Sequence, residues 1–173
     1  MFRGFLGDVK HVILRSEMSL NIVKTQKDSV LLIRMSGSIE EAVHFERLLG
    51  ELPAEVWVET KEISRINSLG VKAWIGYFQT VQKRGIKLRL KECSVAIVEQ
   101  INLNPAFSCG GAIDSIYVPF QCTVCENEVS LLFETRNLKP GLSPRSESKC
   151  VQCGGNTVFD DLPDSYFAFL RRA

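Results

Sequence analysis

Residues 56–70 read Val-Trp-Val-Glu-Thr-Lys-Glu-Ile-Ser-Arg-Ile-Asn-Ser-Leu-Gly, and the fold turns on this stretch. Glu55 to Glu59 reads Glu-Val-Trp-Val-Glu, a short β-branched and aromatic run between acidic ends, the pattern of a strand. Asn67 suits a helix N-cap, because its side-chain oxygen can accept from a first-turn N–H. Val71, Trp74, Ile75, Phe78 and Val81 follow at i, i+3, i+4, i+7 and i+10, which puts one apolar stripe on a helix that stops at Gly85. A strand leading directly into an amphipathic helix is half of a crossover unit.

The pattern repeats on both sides. Upstream, Leu20 to Val23 is a short half-apolar segment, and Lys27-Asp28-Ser29 makes a turn. Val30 to Met35 is a dense apolar run that suggests a strand covered on both faces. A helix is then expected from a Ser38 cap to Leu52, carrying Ile39, Ala42, Val43, Phe45, Leu48 and Leu49 at helical spacing and ending at Gly50 and Pro53. Downstream, Ile86 to Leu90 alternates with period two. Ser94 opens a helix through Ile101, and Ala112 to Val118 reads as one last strand. Strands separated by helices of this length predict an α/β fold, a mixed sheet of four to five strands with helices packed on it.

The chain has 173 residues and a net charge of +1, with 45% hydrophobic and 24% charged residues. That balance excludes disordered and coiled-coil classes and supplies no bulk field toward nucleic acid or an anionic membrane. The longest apolar run is the five residues from Tyr166 to Leu170, far below the roughly 20 of a membrane span. Residues 1–17 lack a secretory signal and read as an N-terminal extension, since Met18 opens the first patterned segment. Six cysteines without a signal point to a reducing, cytoplasmic compartment. The organisation expected is thus 1–17, an α/β module over 18–118, and a small C-terminal unit over 119–173.

That last unit carries the strongest chemical motif. Cys122 and Cys125 are two residues apart, as are Cys150 and Cys153, and 24 residues separate the pairs. Two thiolates at that spacing reach one ion from one tight turn, so two turns offer four soft ligands in a tetrahedron, the donor set of a structural Zn²⁺ site, here a zinc ribbon holding one ion. Four sulfurs leave no open coordination position for substrate or water. Gly154 and Gly155 after the second pair favour the turn, and Glu126 and Asn127 follow the first, with Asn the better tolerated of those two in a left-handed conformation. Residues 119–173 hold six bases and seven acids, too little positive charge for a phosphate-binding face, so nucleic acid is an unlikely partner. Cys93 and Cys109 read as small buried thiols. The tail Tyr166, Phe167, Phe169 and Leu170 is either a short helix docked on the body or a partner-binding hook.

The stretch 56–70 also resembles the signature of the STAS domain, the fold of bacterial anti-sigma-factor antagonists, in which a strand leads into an Asp-Ser motif with a following glycine that opens a helix. Here the motif reads Asn67-Ser68-Leu69-Gly70, and the element order from about 20 to 118 matches that family. The resemblance implies a STAS-like module that binds an anti-sigma factor or serine kinase through Glu59, Asn67, Ser68 and Leu69, with Ser68 the residue a kinase phosphorylates. A phosphoryl group there adds a charge of about −1.5 to −2 at a helix N-terminus. Two positions depart from the family: Asn67 and Glu59 stand where it has Asp. No catalytic constellation is present. His11 and His44 are the only histidines, and no nucleophile elbow, phosphate loop or metalloprotease motif occurs. The expected function is non-enzymatic signalling. The alternatives are a nucleic-acid-associated zinc-ribbon adaptor and a redox- or zinc-sensing switch. Oligomeric state is not legible.

Overall fold

The computed structural model describes residues 11–15, 20–40, 43–145 and 148–172. Strands β1 (His11–Arg15), β2 (Leu20–Lys27), β3 (Val30–Ile39), β4 (Glu55–Ile66), β5 (Lys87–Lys91) and β6 (Ala112–Ile113) form one mixed sheet in sequence order. The first two pairings are antiparallel and the rest parallel. The expected turn at Lys27 to Ser29 joins β2 and β3 as a tight hairpin, with Lys27 opposite Val30. Of the segment 1–17, only 11–15 are among the described residues, and their backbone forms the edge strand β1.

The crossovers contain α1 (Phe45–Leu49), α2 (Ser68–Lys83) and α3 (Val95–Leu103). Successive parallel strands step in one direction across the sheet, so right-handed crossovers place all three helices on one face. Phe45, Trp74, Phe78 and Phe107 form the aromatic centre beneath them. The Trp74 ring stacks on Phe107 at 5.0 Å, and its Nε1–H donates to the Phe107 carbonyl at 3.0 Å. Cross-sheet alternation is clear in β3: Leu31, Ile33 and Met35 are buried, whereas Arg34 is exposed. The apolar run is therefore fully covered on one face and only partly on the other, where Val30 and Leu32 are half-buried, a correction to the expectation of two buried faces.

Two further corrections concern length. The helix expected from Ser38 to Leu52 shrinks to five residues, with Glu41 and Ala42 of that segment outside the described residues. Ser36 to Ile39 instead prolongs β3, because β4 also runs on to Ile66 and pairs with it. Between Arg34↔Glu59 and Ile39↔Ile66, β3 advances five residues and β4 seven, so two bulges sit in β4. Pairing and the complete burial of Ile39 override its helical spacing.

The segment 112–118 is not one strand. After β6 the chain turns at Asp114 and enters β7 (Ser115–Cys122), the centre of a second, antiparallel sheet with β8 (Glu128–Glu134) and β9 (Thr157–Phe159), in the order β8-β7-β9. The division expected near 119 thus falls inside β7. Ile116, Val118 and Phe120 join the core that underlies α3. The aromatic tail docks there through α4 (Pro163–Tyr166) and the turn after it: Tyr166, Phe167 and Phe169 are buried. The Asn102 side chain donates to the Tyr166 carbonyl at 2.8 Å and accepts from the Phe169 N–H at 3.0 Å. The Tyr166 hydroxyl donates to the Tyr117 carbonyl at 2.6 Å.

Candidate functional site

The end of β7 delivers Cys122, and Cys125 follows on a one-turn loop. The Glu126 N–H returns to the Cys122 carbonyl at 3.1 Å. The second pair repeats the construction, with the Gly154 N–H on the Cys150 carbonyl at 2.8 Å. Each loop closes through a left-handed residue, Glu126 at φ 59° and Gly154 at φ 73°. The strained position in the first loop is thus Glu126, not the asparagine after it. Thr123 ties the loops together: its N–H and its hydroxyl both donate to the Asn156 carbonyl, at 2.9 and 3.2 Å. Gly155 allows their approach, since a Cβ there would lie 2.8 Å from the Val124 side chain and 3.0 Å from the Cys122 sulfur. Thr123 and Asn156 carry no signal in sequence, because their role depends on the two loops meeting.

All four sulfurs lie within 4.8 Å of one another. Cys122 Sγ is 3.5 Å from Cys153 Sγ, and Cys125 Sγ is 3.6 Å from Cys150 Sγ. Four thiolates at about 2.3 Å around one ion stand roughly 3.8 Å apart, so this donor set can hold one metal ion. The sequence-predicted ligands Cys122, Cys125, Cys150 and Cys153 are brought together as a group. Cys122 and Cys150 are buried, and Cys125 and Cys153 are exposed.

Backbone N–H groups aim at the buried sulfurs: Val124 N–H lies 3.4 Å from Cys122 Sγ, and Gln152 N–H lies 3.4 Å from Cys150 Sγ. The N–H groups of Cys125 and Val124 bring the Cys122 thiol down to about 6, and those of Cys153 and Gln152 lower Cys150. Cys125 moves up to about 12: the Asn127 N–H favours its thiolate, but the sulfurs of Cys153, Cys150 and Cys122 outweigh it. Four sulfurs this close repel as thiolates, and a divalent cation at their centre relieves that repulsion.

The second sequence-predicted group is split. Asn67 caps α2 as expected, its Oδ1 accepting the Gly70 N–H at 2.8 Å. Ser68 is the first helical residue and is exposed, and Leu69 beside it is 49% exposed. Gly70 fixes the helix start against β3, since a Cβ there would sit 2.2 Å from the Ile39 carbonyl oxygen. Glu59 lies elsewhere. It is seven residues before the end of β4, up to about 23 Å of strand away, and pairs with Arg34 at 2.7 Å. The sequence pattern placed it at a strand end because the bulged continuation of β4 has no clean period.

Cys93 and Cys109 are buried thiols, as their isolation in sequence suggested, and burial pushes them up to about 12 and about 11. His44 precedes α1, exposed at a groove of about 600 Å³ shared with Leu69, Lys72 and Tyr77. No helix among the described residues is long and apolar enough to cross a membrane. No protein-family model matches the chain, and no curated protein resembles it significantly in sequence.

Proposed function

We propose that the chain is a non-enzymatic bacterial regulatory protein of the cytoplasm: a STAS-like module with a structural Zn²⁺ ribbon at its C-terminus. It binds a signalling partner, an anti-sigma factor or a serine kinase, through Asn67, Ser68 and Leu69. The observation that carries this is the construction of the α2 start. Ser68 is exposed while its neighbours Asn67 and Gly70 do the structural work, so its hydroxyl can take a phosphoryl group without disturbing the fold. Added negative charge at a helix N-terminus suits the dipole and changes the contact surface strongly. Glu59 has no part in that surface, being paired with Arg34 elsewhere on the sheet. Zinc follows from an all-sulfur tetrahedral set, which favours it over oxygen-seeking cations. The ribbon acts as scaffold and protein contact: Val124 and Val151 at the tips of its loops are 71% and 92% exposed, and its charge is balanced.

The test is phosphopeptide mapping of the protein isolated from its own cells, with capture of its signalling partner by wild type and by Ser68→Asp. A phosphoryl group on Ser68 and loss of capture by the variant are expected. An unmodified Ser68 together with undiminished capture refutes the reading.

A further inference from the structure

β8 (Glu128–Glu134) is an outer strand of the three-stranded sheet, and its pairing is to β7 alone. Two bonds just beyond its ends fix which way its backbone groups face. The Cys122 N–H donates to the Asn127 carbonyl at 3.0 Å, and the Thr135 N–H donates to the Asp114 carbonyl at 2.8 Å. Both continue the antiparallel register of the β7–β8 pairs. Hydrogen-bonded pairs alternate in such a ladder, so Val129, Leu131 and Phe133 turn their N–H and C=O groups to β7. Glu128, Ser130, Leu132 and Glu134 turn theirs outward.

Among the described residues only Asn127 Nδ2 reaches this outward row, donating to the Glu128 carbonyl at 3.3 Å. The remaining groups form an open template for one more strand. β6 and β9, also at sheet edges, are blunted by their lengths of two and three residues. β8 runs for seven, with no lysine, proline or bulge to guard it. Its side chains alternate with the pleat. Val129, Leu131 and Phe133 are half-buried, with Phe133 stacked on Phe120 at 5.9 Å, whereas Ser130 and Leu132 are exposed. An added strand would therefore continue an apolar face on one side and a polar face on the other.

Charge decides what fits. Glu128 and Glu134 close the two ends of the strand, both exposed, and neither joins an ion pair among the described residues. A second copy of the chain, paired about Leu131 so that every outward group is used, would set Glu128 against Glu134 at both ends. Like charges directly opposite are destabilising, so the edge rejects itself. We propose that the outer edge of β8 binds, by antiparallel strand addition, an extended segment of a partner protein that carries basic side chains six positions apart with alternating apolar residues between them. Main-chain bonds hold the segment, and the two carboxylates select it. The edge belongs to the second sheet, and the proposal does not depend on the role of Ser68.

The test is titration of the full-length, metal-loaded protein with the capped peptide Lys-Val-Thr-Val-Thr-Val-Lys, followed by amide chemical shifts. Saturable shifts at Ser130 and Leu132 are expected. In the antiparallel register the two threonines face Leu132 and Ser130, so N-methylation of both should weaken binding by about tenfold through two lost bonds. N-methylation of the central valine, whose N–H points away from β8, should change it by less than about twofold. Replacing both peptide lysines by glutamate should weaken binding about fivefold, and Glu128→Lys with Glu134→Lys in the protein should restore that loss. Ser130→Pro should weaken binding about tenfold and keep the fold, because the Ser130 N–H points outward and proline is tolerated at such an edge position. No saturation, equal loss from N-methylation at either set of positions, or indifference to the charge exchange would each overturn the site. So would a dimer of the free protein in sedimentation that Ser130→Pro dissociates, since the occupant would then be a second copy.

Discussion

The two sheets are stabilised by different means. The six-stranded sheet buries one continuous face under Phe45, Trp74, Phe78 and Phe107, and its strands are fixed by side chains that have nowhere else to go. The three-stranded sheet is held by hydrocarbon only at its near end, where Ile116, Val118, Phe120 and the aromatic tail pack. At its far end Val124 and Val151 face solvent, and the chain is organised around four sulfurs. β7 passes through both regimes, from a core residue at Ile116 to a member of the sulfur cluster at Cys122. A small appendage can therefore share a larger core for half its length and end on four sulfurs placed to hold one ion.

The contrast breaks most visibly when the metal is removed. Structural sites of this type carry about 10 kcal/mol or more of binding free energy, so chelation should abolish amide protection in residues 122–127 and 150–157. Protection in β3, β4 and β5 should survive, and hydrogen exchange reads both at once. Uniform loss across the two sheets would show that they are one cooperative unit. Because the ligands bind as thiolates, acidification should also release the ion. Backbone N–H groups lower Cys122 to about 6, so its contribution to binding persists above that pH and fades below it. A metal-indicator titration follows this directly.

Trp74→Ala attacks the other regime. Its side chain is fully buried between Phe45, Phe78 and Phe107, and the loss should be about 3–5 kcal/mol by denaturant unfolding. Metal stoichiometry should remain one ion per chain in the folded fraction. Gly70→Ala is smaller, on the order of 2 kcal/mol, because β3 must yield at the Ile39 carbonyl to admit the methyl group. Asn67→Ala removes the α2 cap and should cost about 1 kcal/mol. Ser68→Asp should shift stability by only about 0.3–1 kcal/mol, upward, as an anion at the helix start, while partner capture falls. A large stability change in that last variant would mean that the residue is structural.

Much of this was legible along the chain. The period of α2 and its Asn67 cap were correct to the residue, and the cysteine spacing named all four members of the cluster. Local signals suffice there, since a capping bond spans three residues and a two-cysteine loop spans four. The misreadings share one cause. Ser38 and Ile39 carry the pattern of a helix cap and first turn, yet they are strand because β4 is there to pair with them. Ala112 to Val118 looked like one strand and was divided between two sheets at Asp114. Glu59 looked like a strand end because two bulges hid the seven residues beyond it.

The amino-acid order by itself determined which segments have amphipathic faces, where α2 begins and which four residues can ligate an ion, since each depends on neighbours a few positions apart. Only the tertiary structure decided how far β3 and β4 run and that the second sheet shares the first one's core. Those outcomes depend on contacts between residues 20 or more apart in the chain, where pairing and burial overrule local preference.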